Sequence, residues 1–173
     1  DAHERGGQQG EHGHGAETAA HGGLAGEHRG PALLASLLLE LCEHEPNLEV
    51  EVIPGITAAC SGGAVLGSPL TCDFACISLS DLLTPWDKIE QRLRGAAAGD
   101  FCIVLYNPSS KKRADYLSWA CRIVSEYYAP DTPCGWVRMI GRQDEEKKTC
   151  TLQELTKEQV DMFTTVFIGS SRT

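Results

Sequence analysis

The sequence predicts an α/β fold in which helices cover a mixed sheet. Short apolar runs that are typical of strands alternate with segments whose apolar residues recur at helical spacing. Helix-start signals stand between these runs, at Thr84-Pro85 and at Thr151-Leu152-Gln153-Glu154. The chain has 173 residues, of which 42% are hydrophobic and 23% charged, so it can bury a core of ordinary composition.

The first predicted elements precede residue 73. Residues 33–45 read as a helix, because four leucines form one apolar stripe: Leu34, Leu37, Leu38 and Leu41. Residues 48–53 read as a strand, since apolar residues alternate there with acidic ones. Pro54-Gly55 turns the chain, and Thr57 caps a helix of small residues that extends through Gly67.

The same alternation continues to the end of the chain. We predict four further strands, over residues 73–80, 101–106, 134–140 and 164–168. One helix starts with Thr84 as its N-cap, and the next opens at Ser109 or Ser110. A short helix follows the capping box at Thr151. Each longer helix has one apolar face: Ile89, Leu93 and Ala96 in the first, and Leu117, Cys121, Val124 and Tyr128 in the second.

Residues 1–30 differ from the rest of the chain. They hold nine of the 18 glycines and five of the six histidines, and Leu24 is their only large aliphatic residue. Too little apolar surface is available there to offset the entropy of ordering, so we predict a disordered or atypical tail over residues 1–32. The histidines have no fixed spacing, which favours adventitious metal binding over a built metal site.

Charge and cysteine usage exclude several classes of protein. The net charge of -9 argues against nucleic-acid binding and against an anionic membrane surface. No run approaches the roughly 18 apolar residues that a membrane span needs. Most of the eight cysteines lie in apolar runs, and no secretory segment is visible, so we predict free thiols, no metal centre and a cytoplasmic location.

Two junctions could bind a ligand. Thr57 and Ala58 follow a strand-Pro-Gly turn at a helix N-terminus, where backbone N–H groups and a hydroxyl can bind an anion or a polar group. Tyr106 ends a predicted buried strand and Asn107 follows it, so a ring could stack there and an amide could hydrogen-bond. A simple N-cap and a simple turn are the structural alternatives.

Polar residues also crowd the junction after residue 77: Ser78, Ser80, Asp81 and Thr84. Capping explains Thr84, whereas the two serines have no capping role and lie on one face of the strand. Lys111-Lys112-Arg113 is either a solvated basic face or an anion site.

Three segments in order carry a family resemblance. Val-Ile-Pro-Gly-Ile-Thr-Ala-Ala (52–59), Ile-Ser-Leu-Ser-Asp-Leu-Leu-Thr-Pro-Trp (77–86) and Leu-Tyr-Asn-Pro (105–108) resemble the tetrapyrrole methylases. The second segment is similar to the precorrin-3B or cobalt-precorrin-3 C17-methyltransferase branch. The resemblance covers roughly residues 32–173.

The resemblance implies a function and a site. It implies S-adenosyl-L-methionine-dependent methylation of precorrin-3B or cobalt-precorrin-3 at C17, with ring contraction, on the way to cobalamin. It also implies a cytoplasmic enzyme and a possible homodimer. It places Thr57, Ala58, Tyr106, Asn107, Met139 and Ile140 at the cofactor. It places Ser78, Ser80, Thr84, Lys111 and Arg113 at the tetrapyrrole, with Asp81 as the catalytic candidate for a polar or proton-transfer role.

The chain departs from the family before residue 33. Two N-terminal features of the family, a glycine-rich loop and a Gly-Asp-Pro-like loop, are absent, which implies a fragment that is itself inactive. We therefore assign residues 33–72 to the end of an N-terminal α/β domain with a hinge, and residues 73–173 to a slightly truncated mixed-sheet C-terminal domain. Methylation at another corrin position, and a non-catalytic remnant of the family, are the alternatives.

Overall fold

A five-stranded mixed sheet organises the fold. The computed structural model describes residues 30–45, 47–48, 50–110 and 114–173, so the predicted tail up to residue 29 lies outside the described residues. The strands are β1 (Phe74–Ser78), β2 (Cys102–Tyr106), β3 (Pro133–Arg138), β4 (Glu146–Thr151) and β5 (Thr164–Ile168). The helices are α1 (Gly30–Cys42), α2 (Ala58–Leu66), α3 (Trp86–Ala98), α4 (Tyr116–Val124) and α5 (Leu152–Leu155).

The strand directions bring three strand ends to one edge of the sheet. The strand order is β1-β2-β5-β3-β4. Strand β1 is parallel to β2, and β5 is antiparallel to both β2 and β3. Strands β1, β2 and β3 therefore run in the same direction, and we name the edge where they end the carboxyl edge. Leu105 and Trp136 both pair with Val166, so β2 and β3 end within one residue of the same level.

Side-chain alternation along the strands divides the core between the two faces of the sheet. Helices α3, α4 and α5 cover one face, where Ile103, Leu105 and Val166 are fully buried. Helix α2 covers the other face, where Ala59, Val104, Tyr106, Val137 and Phe167 form a smaller cluster. The apolar residues that we predicted on the inner faces of α3 and α4 are buried, except Tyr128, which is half-buried and lies beyond the end of α4.

The segment before α2 differs from its prediction. The described residues of 48–53 form no strand, so that prediction is wrong. A strand needs a neighbour for its backbone hydrogen bonds, and neither edge strand of the sheet pairs with this segment. Val52 and Ile53 are accordingly exposed, as are four of the leucines of α1: Leu37, Leu38, Leu39 and Leu41.

Two predicted helix starts are also wrong. Helix α3 begins at Trp86 with Pro85 as its N-cap, because Pro85 keeps an extended ψ of 147° while its carbonyl accepts the first helical hydrogen bonds. Thr84 therefore lies one residue too early to cap the helix. Helix α4 begins at Tyr116, and Ser109 and Ser110 lie in irregular structure, so neither of them opens this helix.

Two strand predictions need correction as well. Strand β3 ends at Arg138 rather than at Ile140, because Met139 adopts a positive φ of 54°, which no strand residue has. Strand β4 was not predicted, because its sequence, Glu-Lys-Lys-Thr-Cys-Thr, lacks an apolar pattern. It lies at the edge of the sheet, where a strand needs few apolar side chains and charged residues prevent further pairing. In the described part of the chain, no helix is long and apolar enough to cross a bilayer.

Candidate functional site

The carboxyl edge of the sheet carries most of the predicted site. Ser78 is the last residue of β1, Tyr106 is the last residue of β2, and Met139 directly follows β3. Because the three strands are parallel to one another, these residues lie along a single edge. Ligands of open α/β sheets collect at such an edge, so the topology supports one common site.

The N-terminus of α2 meets this edge at the Tyr106 hydroxyl. The phenol oxygen lies 2.9 Å from Thr57 Oγ1, and it accepts a hydrogen bond of 3.0 Å from the backbone N–H of Ala59. Thr57 caps α2 with its side chain, but its own contact with the Ala59 N–H is longer, at 3.4 Å. Tyr106 of the sheet therefore shares the capping of α2 with Thr57, the residue that the sequence predicted as the cap.

The Tyr106 ring is a buried group. It packs with Val104, Val137 and Phe167 between α2 and the sheet, and 8% of the residue is exposed. Burial is the largest cause that raises the pKa of Tyr106, to about 12, so the phenol keeps its proton at neutral pH. Little of the ring is left to stack on a ligand, and the stacking role stays a prediction.

Asn107 is oriented by Ser78. Its side-chain amide donates to Ser78 Oγ at 3.1 Å, and the backbone N–H of Ser80 donates to the same oxygen at 3.3 Å. Asn107 has a φ of 52°, in the left-handed region that asparagine tolerates better than most residues. Ser78 is buried, so the structure places it behind Asn107 rather than on the surface of the loop.

Asp81 lies farther out on the loop after β1. Its carboxylate accepts a hydrogen bond of 2.6 Å from the hydroxyl of Tyr116, the first residue of α4. The Tyr116 ring stacks on Trp119 and contacts Trp86, with ring centroids 5.1 Å and 4.7 Å apart. Asp81 is exposed, and the Leu82 and Leu83 side chains beside it are largely exposed as well.

The remaining predicted residues are placed differently. Met139 donates its backbone N–H to the carbonyl of Phe163, and Ile140 packs under α2. Thr84 is buried and Ser80 is half-buried. Lys111 and Arg113 lie outside the described residues.

Sequence reasoning missed two contacts at the site. The backbone N–H of Ala59 and the hydroxyl of Tyr116 each bond a predicted site residue, but both partners are distant in sequence. No pattern along the chain signals either contact. In the described ranges, no group of three or more His, Cys, Asp or Glu side chains could hold a metal ion.

The fold is an α/β domain in which parallel strand ends meet a helix N-terminus, and this junction is the candidate ligand site. A family model for tetrapyrrole (corrin/porphyrin) methylases matches residues 31–156, and the chain belongs to this family.

Individual relatives agree with this assignment. The chain is 43% identical over 141 residues to a probable cobalt-factor III C(17)-methyltransferase of Salmonella typhimurium, which covers 81% of this chain and 58% of that protein. It is 41% identical over 152 residues to a cobalt-factor III methyltransferase of Priestia megaterium, with coverages of 87% and 28%. The chain therefore spans less than two thirds of either relative.

A solved structure supports the fold. The crystal structure of the methyltransferase CobJ matches with a TM-score of 0.72 and 36% identity, over 80% of this chain and 59% of that one. A uroporphyrin-III C-methyltransferase of Thermus thermophilus, solved with S-adenosyl homocysteine, matches at 19% identity with a TM-score of 0.57, which shows a shared fold only. The predicted mixed-sheet α/β fold of this family is confirmed.

Proposed function

We propose that this chain is part of an S-adenosyl-L-methionine-dependent methyltransferase that methylates a corrin precursor at C17, with ring contraction, in cobalamin biosynthesis. The observation that carries the proposal is the convergence of Thr57, Asn107 and Ser78 at one edge of the sheet. Two relatives that match at 43% and 37% identity are named as a probable cobalt-factor III C(17)-methyltransferase and a precorrin-3B C(17)-methyltransferase, and a third, at 41%, as a cobalt-factor III methyltransferase. The substrate would be a tetrapyrrole, precorrin-3B or cobalt-precorrin-3.

The residues at the carboxyl edge fit the proposed cofactor. A nucleoside with ribose hydroxyls, an adenine ring and an amino-acid group needs neutral donors and acceptors, and the Thr57 hydroxyl, the first turn of α2 and the Asn107 amide provide them. The residues proposed to hold it are Thr57, Ala58, Asn107 and the backbone of Met139 and Ile140. When bound, the cofactor would supply an electrophilic methyl group, and the transfer needs no metal.

The chain's own residues would align and shield the reactants. Ser78 would hold Asn107 in its left-handed conformation, and Asp81 would lie on the tetrapyrrole side of the cleft, held by Tyr116. Alignment and exclusion of water are the main contributions that a protein makes to a displacement of this kind. Ser80, Thr84, Lys111 and Arg113 are proposed to line the tetrapyrrole side as well.

The assembly around the site is also a proposal. We propose a domain boundary near residue 72, a cytoplasmic location and a possible homodimer. Burial raises the pKa of Cys102 to about 11 and that of Cys121 to about 12, so both thiols act as small apolar groups. Sedimentation of the purified chain would test the dimer.

Calorimetry on the purified chain tests the cofactor site. Because the chain spans 58% of one relative and 28% of another, we expect S-adenosyl-L-methionine to bind weakly or not at all. Contacts worth about 4 kcal/mol would be missing, which is about a thousandfold in affinity. Micromolar binding would show that the chain holds the whole cofactor site and that our division of the site is wrong.

Variants in a complete enzyme that carries these residues test the two sides of the cleft. Asn107→Ala should weaken cofactor binding, whereas Asp81→Ala should lower turnover and leave cofactor affinity nearly unchanged. Steady-state kinetics with separate cofactor titrations separate these effects. If Asp81→Ala abolished cofactor binding at an unchanged melting temperature, the assignment of its loop to the substrate would be wrong.

A further inference from the structure

Two strands of the carboxyl edge are followed by residues in the same left-handed conformation. Asn107 directly follows β2 with a φ of 52°, and Met139 directly follows β3 with a φ of 54°. Asparagine tolerates this region, whereas for methionine the conformation costs free energy, because its Cβ crowds the following carbonyl. Such a cost persists only where the surrounding structure fixes the backbone, and residues of this kind cluster at ligand sites. Met139 therefore depends on the groups that hold it.

Met139 is held through both of its backbone polar groups. Its carbonyl accepts from the N–H of Arg142 at 3.0 Å, which closes a turn in which Gly141 has a φ of 72°. Its N–H donates to the carbonyl of Phe163 at 3.1 Å. The first bond is local, but the second reaches the segment before β5. Whatever fixes Phe163 therefore also fixes Met139.

The carboxylate of Asp161 fixes this segment to the end of β3. Its Oδ1 accepts from the backbone N–H of Phe163 at 3.0 Å and from the hydroxyl of Thr164 at 2.9 Å. Its Oδ2 accepts from Nε of Arg138 at 2.8 Å, and Arg138 is the residue before Met139. One carboxylate thereby holds both the residue that precedes Met139 and the residue whose carbonyl accepts the Met139 N–H.

We propose that Asp161 is a positioning residue of the ligand site, which holds Met139 in the left-handed conformation and so sets the Met139-Ile140 backbone at the carboxyl edge. This inference rests on the proposed function for the identity of the ligand, a nucleoside bound by that backbone. The side chains of Arg138 and Asp161 are 31% and 41% exposed, and an ion pair this exposed adds little to stability. Loss of the pair should therefore change the conformation of Met139 more than the stability of the fold.

Asp161→Asn tests the inference because it keeps the size of the side chain and one acceptor oxygen. It removes the charge, and the amide nitrogen cannot accept from Arg138. Glu158→Gln is a matched control, because Glu158 also lies between α5 and β5 and its carboxylate also reaches β3. It accepts from Trp136 at 3.1 Å and from Lys148 at 2.6 Å, and neither bond involves the turn after β3.

The first measurement is the nuclear Overhauser effect between the amide and α protons of Met139 in the 173-residue chain, since these two protons lie closest at a positive φ. We expect a strong effect in the parent chain and in Glu158→Gln. We expect a weaker one in Asp161→Asn and in Arg138→Met, which breaks the same link from the other side. An unchanged effect in Asp161→Asn, or in Arg138→Met if the first variant does not fold, would overturn the inference. Weakening in Glu158→Gln as well would also overturn it, because the fold would then have loosened in general.

The second measurement is a titration with S-adenosyl homocysteine, followed by the NMR shifts of Ile140 and Asn107. Asp161→Asn should weaken binding by about fivefold, as expected if the binding-competent conformation falls to about a fifth of the molecules. Met139→Asn supplies a residue that tolerates the left-handed region, so in this background the same change should weaken binding by about twofold at most. Equal losses in the two backgrounds would mean that Asp161 does not act through Met139, and the positioning role would be wrong.

The two measurements separate the inference from the proposed function. If the Overhauser effect of Met139 weakens in Asp161→Asn but the nucleoside shifts residues elsewhere, the hold of Asp161 on Met139 stands and the proposed cofactor site fails. If the nucleoside shifts Ile140 and Asn107 but the Overhauser effect is indifferent to Asp161, the cofactor site stands and the inference fails.

Discussion

Helix α2 lies so close to the sheet that two adjacent glycines should respond differently to alanine. A Cβ atom at Gly62 would stand 2.9 Å from Phe167 Cζ and 3.0 Å from Ile140 Cδ1. Phe167 is 1% exposed and packed on all sides, so its ring cannot move away cheaply. A Cβ atom at Gly63 would stand 3.4 Å from the nearest atom, Leu70 Cδ1, which is an ordinary contact.

The magnitude follows from two terms. Replacing glycine by alanine inside a helix contributes about 1 kcal/mol of stability, and this term is common to both positions. Overpacking costs about 1–3 kcal/mol, and it applies to Gly62 alone. Gly63→Ala should therefore be neutral or stabilising, and Gly62→Ala should be less stable than Gly63→Ala by about 1–3 kcal/mol.

Urea unfolding followed by tryptophan fluorescence measures the difference between the two variants. Comparing neighbours cancels the helix propensity and most effects on the unfolded chain. Equal free energies of unfolding would refute the close packing of α2 on Phe167. That result would also count against the contacts of the Tyr106 hydroxyl, since α2 carries Ala59 to the sheet.

Two further predictions concern the core and the C-terminal segment. Leu93→Ala should lower the free energy of unfolding in urea by about 2–5 kcal/mol, because Leu93 is fully buried. As a control, the same change at Leu83, which is 79% exposed, should alter it by no more than about 0.5 kcal/mol. Equal losses in the two variants would refute the burial of Leu93. The hydrogen bonds from Ser171 to the Asp100 carboxylate lower the pKa of that carboxyl in the folded chain. They therefore add to the free energy of unfolding above the pKa that Asp100 has in the unfolded chain, and this contribution is lost as pH falls through the pKa of the folded chain. Between neutral and acid pH, the free energy of unfolding should therefore fall less in Ser171→Ala than in the parent chain. Parallel profiles of unfolding free energy against pH would contradict this.

The contrast between correct and wrong elements has a physical basis. Strands β1, β2 and β5 were predicted from their apolar runs, and each is central or packed on helices, so burial and pattern agree. Strand β4 is an edge strand with polar residues, and residues 48–53 alternate like a strand without a partner. In both cases the pairing of the backbone, which no local pattern encodes, decided the outcome.

The same distinction applies to the candidate site. Thr57 as the cap of α2 was predicted from the residues that surround it in sequence, and the structure confirms that cap. The burial of the Tyr106 ring was not predicted, because it depends on α2 lying across the second face of the sheet. The link from Asp81 to Tyr116 spans 35 residues and follows from where α4 begins.

The sequence by itself determined the fold class, the family and the strand and helix ends at which a ligand could bind. These are local properties, because apolar periodicity, capping residues and motif order are all written along the chain. Only the tertiary structure decided which of these ends meet and which groups remain to face a ligand. Hydrogen bonds between distant residues, such as those of Tyr106 with Thr57 and Ala59, form only after β2 and α2 have packed, so no stretch of sequence could specify them.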